Sequence, residues 1–237
     1  MNVLQSFAYK YLPPELFEFN PRLYAFALIL VFGLAAFLIF PVKEISGYID
    51  PFYSPTILIL PFVGLYRLTC YAYRKDYNRH IFKHPMGCAI NERMDSSARV
   101  YTGERSALFK VENLHRYFLY VSILVLPFFF YDVYISMFYT GVFVLRLGSI
   151  LLGLNAIFIT LYVFSCHSFR NLIGGRKDCY SCMKYGKGVK KIYDKQSWLN
   201  EHHEQLAWLS LIFIIFVDLY LRGIGVGMPI DITLLRL

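Results

Sequence analysis

The stretch YFLYVSILVLPFFFYDVYISMFYTGVFVLRLGSILLGLNAIFITLYVFSC, residues 117–166, decides the fold class of this chain. Its charged side chains are Asp132 and Arg146 alone, and Thr140 and Gly141 separate two apolar runs, 117–139 and 142–166. A helix rises 1.5 Å per residue, so each run is long enough to cross a hydrocarbon layer of about 30 Å. The stretch therefore predicts two consecutive transmembrane helices.

Three further apolar runs flank this central pair. They occupy residues 23–40, 54–73 and 206–221. Pro61 interrupts the second run, but membrane helices tolerate proline because neighbouring helices can satisfy the freed carbonyl group. The composition agrees, since 57% hydrophobic and 17% charged residues lie outside the balance of a soluble domain. The sequence predicts an all-α integral membrane bundle of five transmembrane helices and excludes a soluble globular domain.

The chain divides into a short leading segment and one membrane domain. Residues 1–22 carry aromatic and aliphatic residues broken by Pro13 and Pro14, which suggests an N-terminal interfacial segment. Residues 23–237 form the predicted five-helix anchor. Its two long connections are the loops 74–116 and 168–205.

Basic residues concentrate in those two loops. Between the second and third runs lie Arg74, Lys75, Arg79, Lys83, Arg93, Arg99, Arg105, Lys110 and Arg116, and between the fourth and fifth lie Arg170, Arg176, Lys177, Lys184, Lys187, Lys190, Lys191 and Lys195. The opposite connections, 41–53 and 138–141, carry Lys43 as their single basic residue. Because basic loops stay in the cytoplasm, we expect a multi-pass protein of the cell membrane with its N-terminus cytoplasmic and its C-terminus outside.

The formal net charge of +8 is thus expected mostly on one membrane face. A topology signal together with attraction to anionic membrane lipid accounts for much of it. The loops are also too long to be mere connections, which favours a docking surface for a soluble cytoplasmic partner. No nucleic-acid motif accompanies the basic residues, so nucleic acid is not an expected partner.

Cysteine and histidine recur at the cytoplasmic ends of the predicted helices. They are Cys70, His115, Cys166, His167, His202 and His203. Ionisable groups at a membrane boundary are costly, and these residue types bind zinc, haem and iron-sulfur clusters. Each has an ordinary alternative, because a cysteine in an apolar helix is commonly a small hydrophobic residue and an interfacial histidine can simply be solvated. Together they indicate a redox or metal centre at one membrane depth.

Two features of the loops are less specific. Cys88 follows His84 and Pro85 in the first long loop, and Cys179 and Cys182 form a C-x-x-C in the second. Such a pair could bind zinc or form a disulfide. A reducing cytoplasm argues against a stable disulfide, and the absence of a second C-x-x-C weakens the zinc interpretation.

Several blocks of sequence resemble the five-helix membrane-anchor subunit of actinobacterial succinate dehydrogenases. They are LTCYAYRKDYNR from Leu68, YTGE from Tyr101, ENLHRYFLY from Glu112, SCHSFRNLIGG from Ser165 and LNEHHEQLAWLSL from Leu199, followed by Asp218 and Tyr220. The resemblance covers roughly residues 65–231. Where that family reads CHSCRH, this chain has Phe169 and Asn171 at the fourth and sixth positions.

The resemblance implies a subunit of respiratory complex II. A flavoprotein subunit and an iron-sulfur subunit would oxidise succinate, and this anchor would pass their electrons to a quinone. It also implies a membrane-embedded Rieske-type 2Fe-2S cluster, which takes two thiolates and two imidazoles as ligands. One ligand per helix end gives Cys70, His115, Cys166 and His203, with Cys88 and His167 as further candidates.

The quinone is expected beside such a cluster, where apolar walls meet polar donors. The residues placed for it are Tyr71, Arg74, Arg116, Tyr117 and Trp208, although aromatic and basic residues also collect at membrane interfaces for structural reasons. Two other functions remain open. One is a membrane cytochrome that binds haem b between His115 and His203, and the other is a membrane scaffold or transporter without a redox centre.

Overall fold

The computed structural model describes residues 56–70, 72–73, 111–138, 140–175 and 179–237, together with scattered positions between 27 and 50. This part of the chain is mostly helical, as predicted. Its helices are α1 (Thr56–Thr69), α2 (Val111–Phe138), α3 (Leu147–Phe164), α4 (His167–Arg170), α5 (Gly186–Glu201) and α6 (His203–Gly225). A π-helical turn, Asn171–Gly175, follows α4.

Three of the described helices are long and apolar enough to cross a membrane. The segments are Leu114–Phe138, Leu147–Phe164 and His203–Gly225, and they correspond to the third, fourth and fifth predicted spans. Helix α1 is apolar but shorter. The described positions of the first predicted span are helical, while most of that span lies outside the described residues. The count of five spans and the orientation stay predictions.

The helices pack in sequence around a core at one end of the bundle. Helix α1 packs on α2, α2 on α3, and α3 on α6. Tyr66, Leu119 and Val163 bury their side chains between them. Apolar side chains on the outer faces are exposed, for example Leu58 at 73% and Leu124 at 71%. An apolar outer surface of this kind is stable against lipid and unfavourable in water.

Short antiparallel strands accompany the helices. Strand β1 (Val42–Lys43) pairs with β2 (Ile49–Asp50), and β3 (Val144–Arg146) pairs with β4 (Thr233–Arg236) near the C-terminus. The predicted start of the fourth span at residue 142 is therefore wrong, because residues 144–146 are extended and α3 begins after them. The tail also carries Asp231, whose Oδ1 accepts a hydrogen bond from the backbone N–H of Gly148 at 2.9 Å.

The last membrane helix is longer than its apolar run. Helix α6 begins at His203 and ends at Gly225, whereas hydropathy predicted 206–221 and the shortest of the spans. Its C-terminal part carries an ion pair in which Arg222 Nε lies 2.8 Å from Asp218 Oδ2. The Arg222 side chain is only 5% exposed, and Asp218 on the same helix neutralises its charge. The helix can therefore continue past this buried charged residue.

Helix α5 lies across the end of α3 and is held there by two amide side chains. Gln196 Nε2 donates to the carbonyls of Phe164 and Cys166 at 2.8 and 3.2 Å, and Asn200 Nδ2 donates to that of Ser165 at 2.6 Å. The last carbonyls of a helix have no partner within it. The amides supply partners to the carbonyls of Phe164 and Ser165 and a second partner to that of Cys166, which also accepts the Arg170 N–H, and so fix the chain at Cys166.

The C-x-x-C before α5 forms a disulfide between Cys179 and Cys182. The expectation that these thiols stay reduced is wrong for this structure. The turn between them brings their Cα atoms to 5.5 Å, within the range that a disulfide spans.

Candidate functional site

Four of the predicted ligand residues meet at one end of the bundle. Cys70 follows the last residue of α1, His115 lies near the start of α2, Cys166 follows α3, and His203 is the first residue of α6. All four are buried, with exposures of 0%, 6%, 1% and 4%. The structure thus brings together one residue from each of four helix ends.

The four side chains form two thiol–imidazole pairs. Cys70 Sγ lies 3.1 Å from His203 Nε2, and Cys166 Sγ lies 3.0 Å from His115 Nε2. Within the described residues, no group of three or more His, Cys, Asp or Glu side chains converges as the ligands of a single metal ion do. The site offers two pairs of donors instead of one compact set.

A hydroxyl group holds the far nitrogen of each imidazole. Thr69 Oγ1 lies 3.0 Å from His115 Nδ1, and Ser165 Oγ lies 2.7 Å from His203 Nδ1. In both rings Nδ1 therefore faces a hydroxyl and Nε2 faces a thiol. Metal-binding histidines in proteins are oriented in the same manner, by a hydrogen bond at the nitrogen that does not bind the metal.

A tyrosine ring covers each imidazole. The Tyr66 ring stacks on His115 with a centroid distance of 4.7 Å, and the Tyr162 ring stacks on His203 at 5.4 Å. The Tyr162 hydroxyl is buried beside the Cys70 thiol, and it makes no hydrogen bond to a nitrogen or oxygen atom of the described residues. A group bound between the pairs would offer this hydroxyl a further partner.

These contacts repeat because a short sequence repeats. Residues 66–70 read Tyr-Arg-Leu-Thr-Cys and residues 162–166 read Tyr-Val-Phe-Ser-Cys, so Tyr-x-x-Thr/Ser-Cys ends both α1 and α3. In each copy the tyrosine and the hydroxyl residue contact one histidine while the cysteine contacts the other. This motif is not among the predicted features, although the two cysteine-bearing helix ends share it when they are aligned on their cysteines.

A basic and aromatic group lies next to the pairs. Arg67 Nη1 donates to Tyr73 Oη at 2.8 Å and to Ser210 Oγ at 3.2 Å, and its guanidinium lies 4.8 Å from the centre of the Tyr162 ring. The Trp208 ring packs edge-on against Tyr73. Of the predicted quinone residues, Trp208 is therefore beside the site, while Arg67 was not among them.

The other predicted site residues are placed differently. Arg116 donates to the hydroxyl of Tyr120 on an exposed face of α2, and Tyr117 is 44% exposed. His167 is partly buried, with its ring 5.7 Å from that of His203. Burial lowers the pKa of His167, and the positive charge of Arg170 lowers it further. Tyr71, Arg74 and Cys88 lie outside the described residues.

Comparison with known proteins identifies the family. The family model for actinobacterial succinate dehydrogenase subunit SdhC matches residues 41–227. This chain belongs to that family. It is also similar to a chain of the solved Mycobacterium smegmatis Sdh1 complex in the apo form, with 33% identity and a TM-score of 0.61. The match covers 75% of this chain and 64% of that one. A search of curated proteins found no match.

The donor set of this SdhC-family chain fits a binuclear iron-sulfur cluster in number and type. Each iron of a 2Fe-2S cluster takes two protein ligands, and two thiols with two imidazoles meet that requirement. Soft sulfur and imidazole nitrogen are donors that iron accepts. Rieske coordination places both thiolates on one iron and both imidazoles on the other, whereas the pairs here join each thiol to an imidazole. The residues fit the group, and Rieske ligation would require them to exchange partners.

Proposed function

We propose that this chain is the membrane-anchor subunit of a succinate dehydrogenase, respiratory complex II. In this role it passes electrons from a soluble iron-sulfur subunit to a membrane quinone through a Rieske-type 2Fe-2S cluster at the membrane boundary. The observation that carries the proposal is the buried set of two thiols and two imidazoles in a member of the SdhC family. The flavin chemistry would belong to a separate flavoprotein subunit.

The ligands would be Cys70, Cys166, His115 and His203. Bound there, the cluster would accept and release one electron at a time. The protein residues around it exclude water, since all four ligands are almost fully buried. The stacked tyrosines and the hydroxyl groups hold the two imidazoles in place. Outside the described residues, Cys88 remains a further candidate ligand.

A quinone headgroup would lie beside these residues. Trp208 and Arg67 support this location, because an aromatic wall next to a cationic hydrogen-bond donor suits a ring with carbonyl oxygens. Arg116 and Tyr117 lie one and two residues after His115, and with Tyr71 and Arg74 they complete the proposed surroundings.

The partners would dock on the basic side of the membrane. Helix α5 presents exposed Lys187, Lys190, Lys191 and Lys195, and its Gln196 donates a hydrogen bond to the carbonyl of Cys166. An iron-sulfur subunit seated there would be close to the cluster ligands. We propose five spans with the N-terminus and this helix cytoplasmic. A membrane-impermeant label should then react near the C-terminus in intact cells and near Lys187 only after lysis; labelling of both regions from outside would overturn this orientation.

A membrane cytochrome with haem b between His115 and His203 is the second candidate, but the geometry favours it less. Each Nε2 is about 3 Å from a thiol sulfur, so buried cysteines fill the space that a haem iron and its porphyrin would need. An optical spectrum separates the two functions, since haem gives a sharp Soret band and a 2Fe-2S centre gives broad, weak visible absorption.

The decisive experiment is native isolation of the complex followed by removal of the imidazoles. We expect the chain to co-purify with a flavoprotein and an iron-sulfur protein. The double variant His115→Ala/His203→Ala should lose quinone reduction and the Rieske-like paramagnetic signal, but keep succinate oxidation with a soluble artificial acceptor. His202→Ala is the matched control, because the His202 side chain is exposed and, among the described contacts, hydrogen-bonds only to the carbonyl of Trp198.

Two results would contradict the proposal. The first is recovery of the chain alone from mild detergent with no redox cofactor. The second is a double variant that retains both the paramagnetic signal and quinone reduction, because the histidines would then be ordinary interfacial residues.

A further inference from the structure

We propose that Thr69 and Ser165 are positioning residues that fix the tautomers of His115 and His203, so that each imidazole presents an unprotonated Nε2 to the metal. This inference rests on the proposed function and extends it to two residues that bind no metal themselves. The acceptor of each hydroxyl proton determines the tautomer of the neighbouring imidazole.

Each hydroxyl already donates its proton to a backbone carbonyl. Thr69 Oγ1 donates to the carbonyl of Leu65 at 2.7 Å, and Ser165 Oγ donates to that of Tyr162 at 2.8 Å. A hydroxyl has one proton and two acceptor lone pairs. The oxygen that faces the imidazole can therefore only accept, and the imidazole must carry its proton on Nδ1.

Protonation of Nδ1 determines whether Nε2 has a free lone pair for a metal. A neutral imidazole has one protonated and one unprotonated nitrogen, so an Nδ1–H leaves a free lone pair on Nε2. Nε2 is the atom that faces Cys166 in His115 and Cys70 in His203. Donating Nδ1–H also makes the ring a stronger electron donor at Nε2, which stabilises the more oxidised metal.

Each hydroxyl holds the histidine that contacts the cysteine of the other helix end. Thr69 precedes Cys70 but holds His115, the partner of Cys166. Ser165 precedes Cys166 but holds His203, the partner of Cys70. Each Thr/Ser-Cys dipeptide therefore orients the imidazole of one thiol–imidazole pair and supplies the thiol of the other pair. Loss of one hydroxyl should consequently affect a single imidazole.

The test compares variants that lack the hydroxyl with variants that keep it. Thr69→Val and Ser165→Ala remove the oxygen, whereas Thr69→Ser and Ser165→Thr retain one. Two matched controls remove a hydroxyl that contacts no imidazole: Thr160→Val, since Thr160 bonds the carbonyl of Ala156 on α3, and Ser122→Ala, since the buried Ser122 hydroxyl has no partner among the described residues.

Each intact complex is purified to the same subunit ratio. Three properties of the anchor cluster are then measured: iron and sulfide content under a graded chelator challenge, the paramagnetic g values, and the midpoint potential. Loss of an outer hydrogen bond to a metal-binding histidine typically weakens metal binding about 10- to 100-fold. We expect Thr69→Val and Ser165→Ala to lose the cluster at correspondingly lower chelator concentration and to show altered g values and a raised midpoint potential. The hydroxyl-retaining and control variants should match the wild type.

The outcomes separate this inference from the proposed function. If the wild-type complex holds no iron-sulfur centre beyond those of its soluble subunits, the proposed function itself fails. If the centre is present and Thr69→Val and Ser165→Ala leave all three properties unchanged, the positioning role alone is refuted. It is refuted equally if Thr69→Ser and Ser165→Thr lose the cluster as readily, because side-chain bulk and not the hydroxyl would then be responsible.

Discussion

Replacing Gln196 with leucine should loosen the end of α3 while the rest of the bundle stays intact. The side chain is 6% exposed, and its Nε2 donates to the carbonyls of Phe164 and Cys166. Leucine fills a similar volume but donates nothing. The substitution therefore removes two hydrogen bonds and leaves the volume nearly unchanged.

The size of the effect follows from those two bonds. A hydrogen bond contributes about 0.5–1.5 kcal/mol, so two contribute about 1–3 kcal/mol, or roughly 5- to 160-fold in a local opening equilibrium. Gln196 Oε1 is itself buried without a partner among the described residues, and its removal offsets part of this cost. We expect the lower half of the range, about 5- to 30-fold.

Hydrogen exchange of the backbone amides of residues 165–171 measures this opening directly. The amides of residues 217–222, at the far end of α6, serve as the internal reference. Lys195→Leu is the matched control, because position 195 neighbours Gln196 on α5 but is exposed. Unchanged exchange at 165–171, or a uniform increase that includes 217–222, would refute the argument that Gln196 secures the chain at Cys166.

Two further predictions concern the opposite end of the bundle. Asp231→Ala removes the acceptor of the Gly148 N–H and should lower the free energy of unfolding by about 1 kcal/mol, seen as a lower melting temperature of the purified complex. Asp218→Asn should cost about 1–2 kcal/mol because it weakens an ion pair whose Arg222 side chain is buried. Asp194→Asn, in an ion pair of the same i,i+4 spacing with both side chains more than half exposed, should leave the melting temperature unchanged; an equal loss in both variants would contradict the role given to burial.

Hydropathy predicted the helices better than their ends. Apolar runs of spanning length form helices in a membrane because the backbone must satisfy its own hydrogen bonds there. Residues 144–146 are as apolar as the helix that follows them, apart from Arg146, and they are extended because they pair with 233–236. That contact is distant in sequence, so no local pattern reveals it. Helix α6 extends beyond its apolar run at both ends, because charged residues such as Glu204 and Arg222 do not interrupt the backbone hydrogen bonds of a helix.

The candidate site was predictable where its residues are rare. Cysteine and histidine at a membrane boundary are uncommon enough to attract notice, and the four residues predicted as one ligand per helix end meet in the structure. Thr69, Ser165 and the two stacked tyrosines were missed because hydroxyl and aromatic residues are ordinary in membrane helices. Which cysteine faces which histidine depends on how the helices cross, and sequence spacing alone does not contain that information.

The crossed pairing also sets the order in which the site can be completed during synthesis. Cys70 and His203 are separated by 133 positions along the chain. At roughly 5–20 residues per second, a ribosome makes His203 about 7–27 s after Cys70. Throughout that interval the thiol at the end of α1 lacks the imidazole that it contacts in the folded protein. Insertion of α6 is then the step that completes the Cys70–His203 pair.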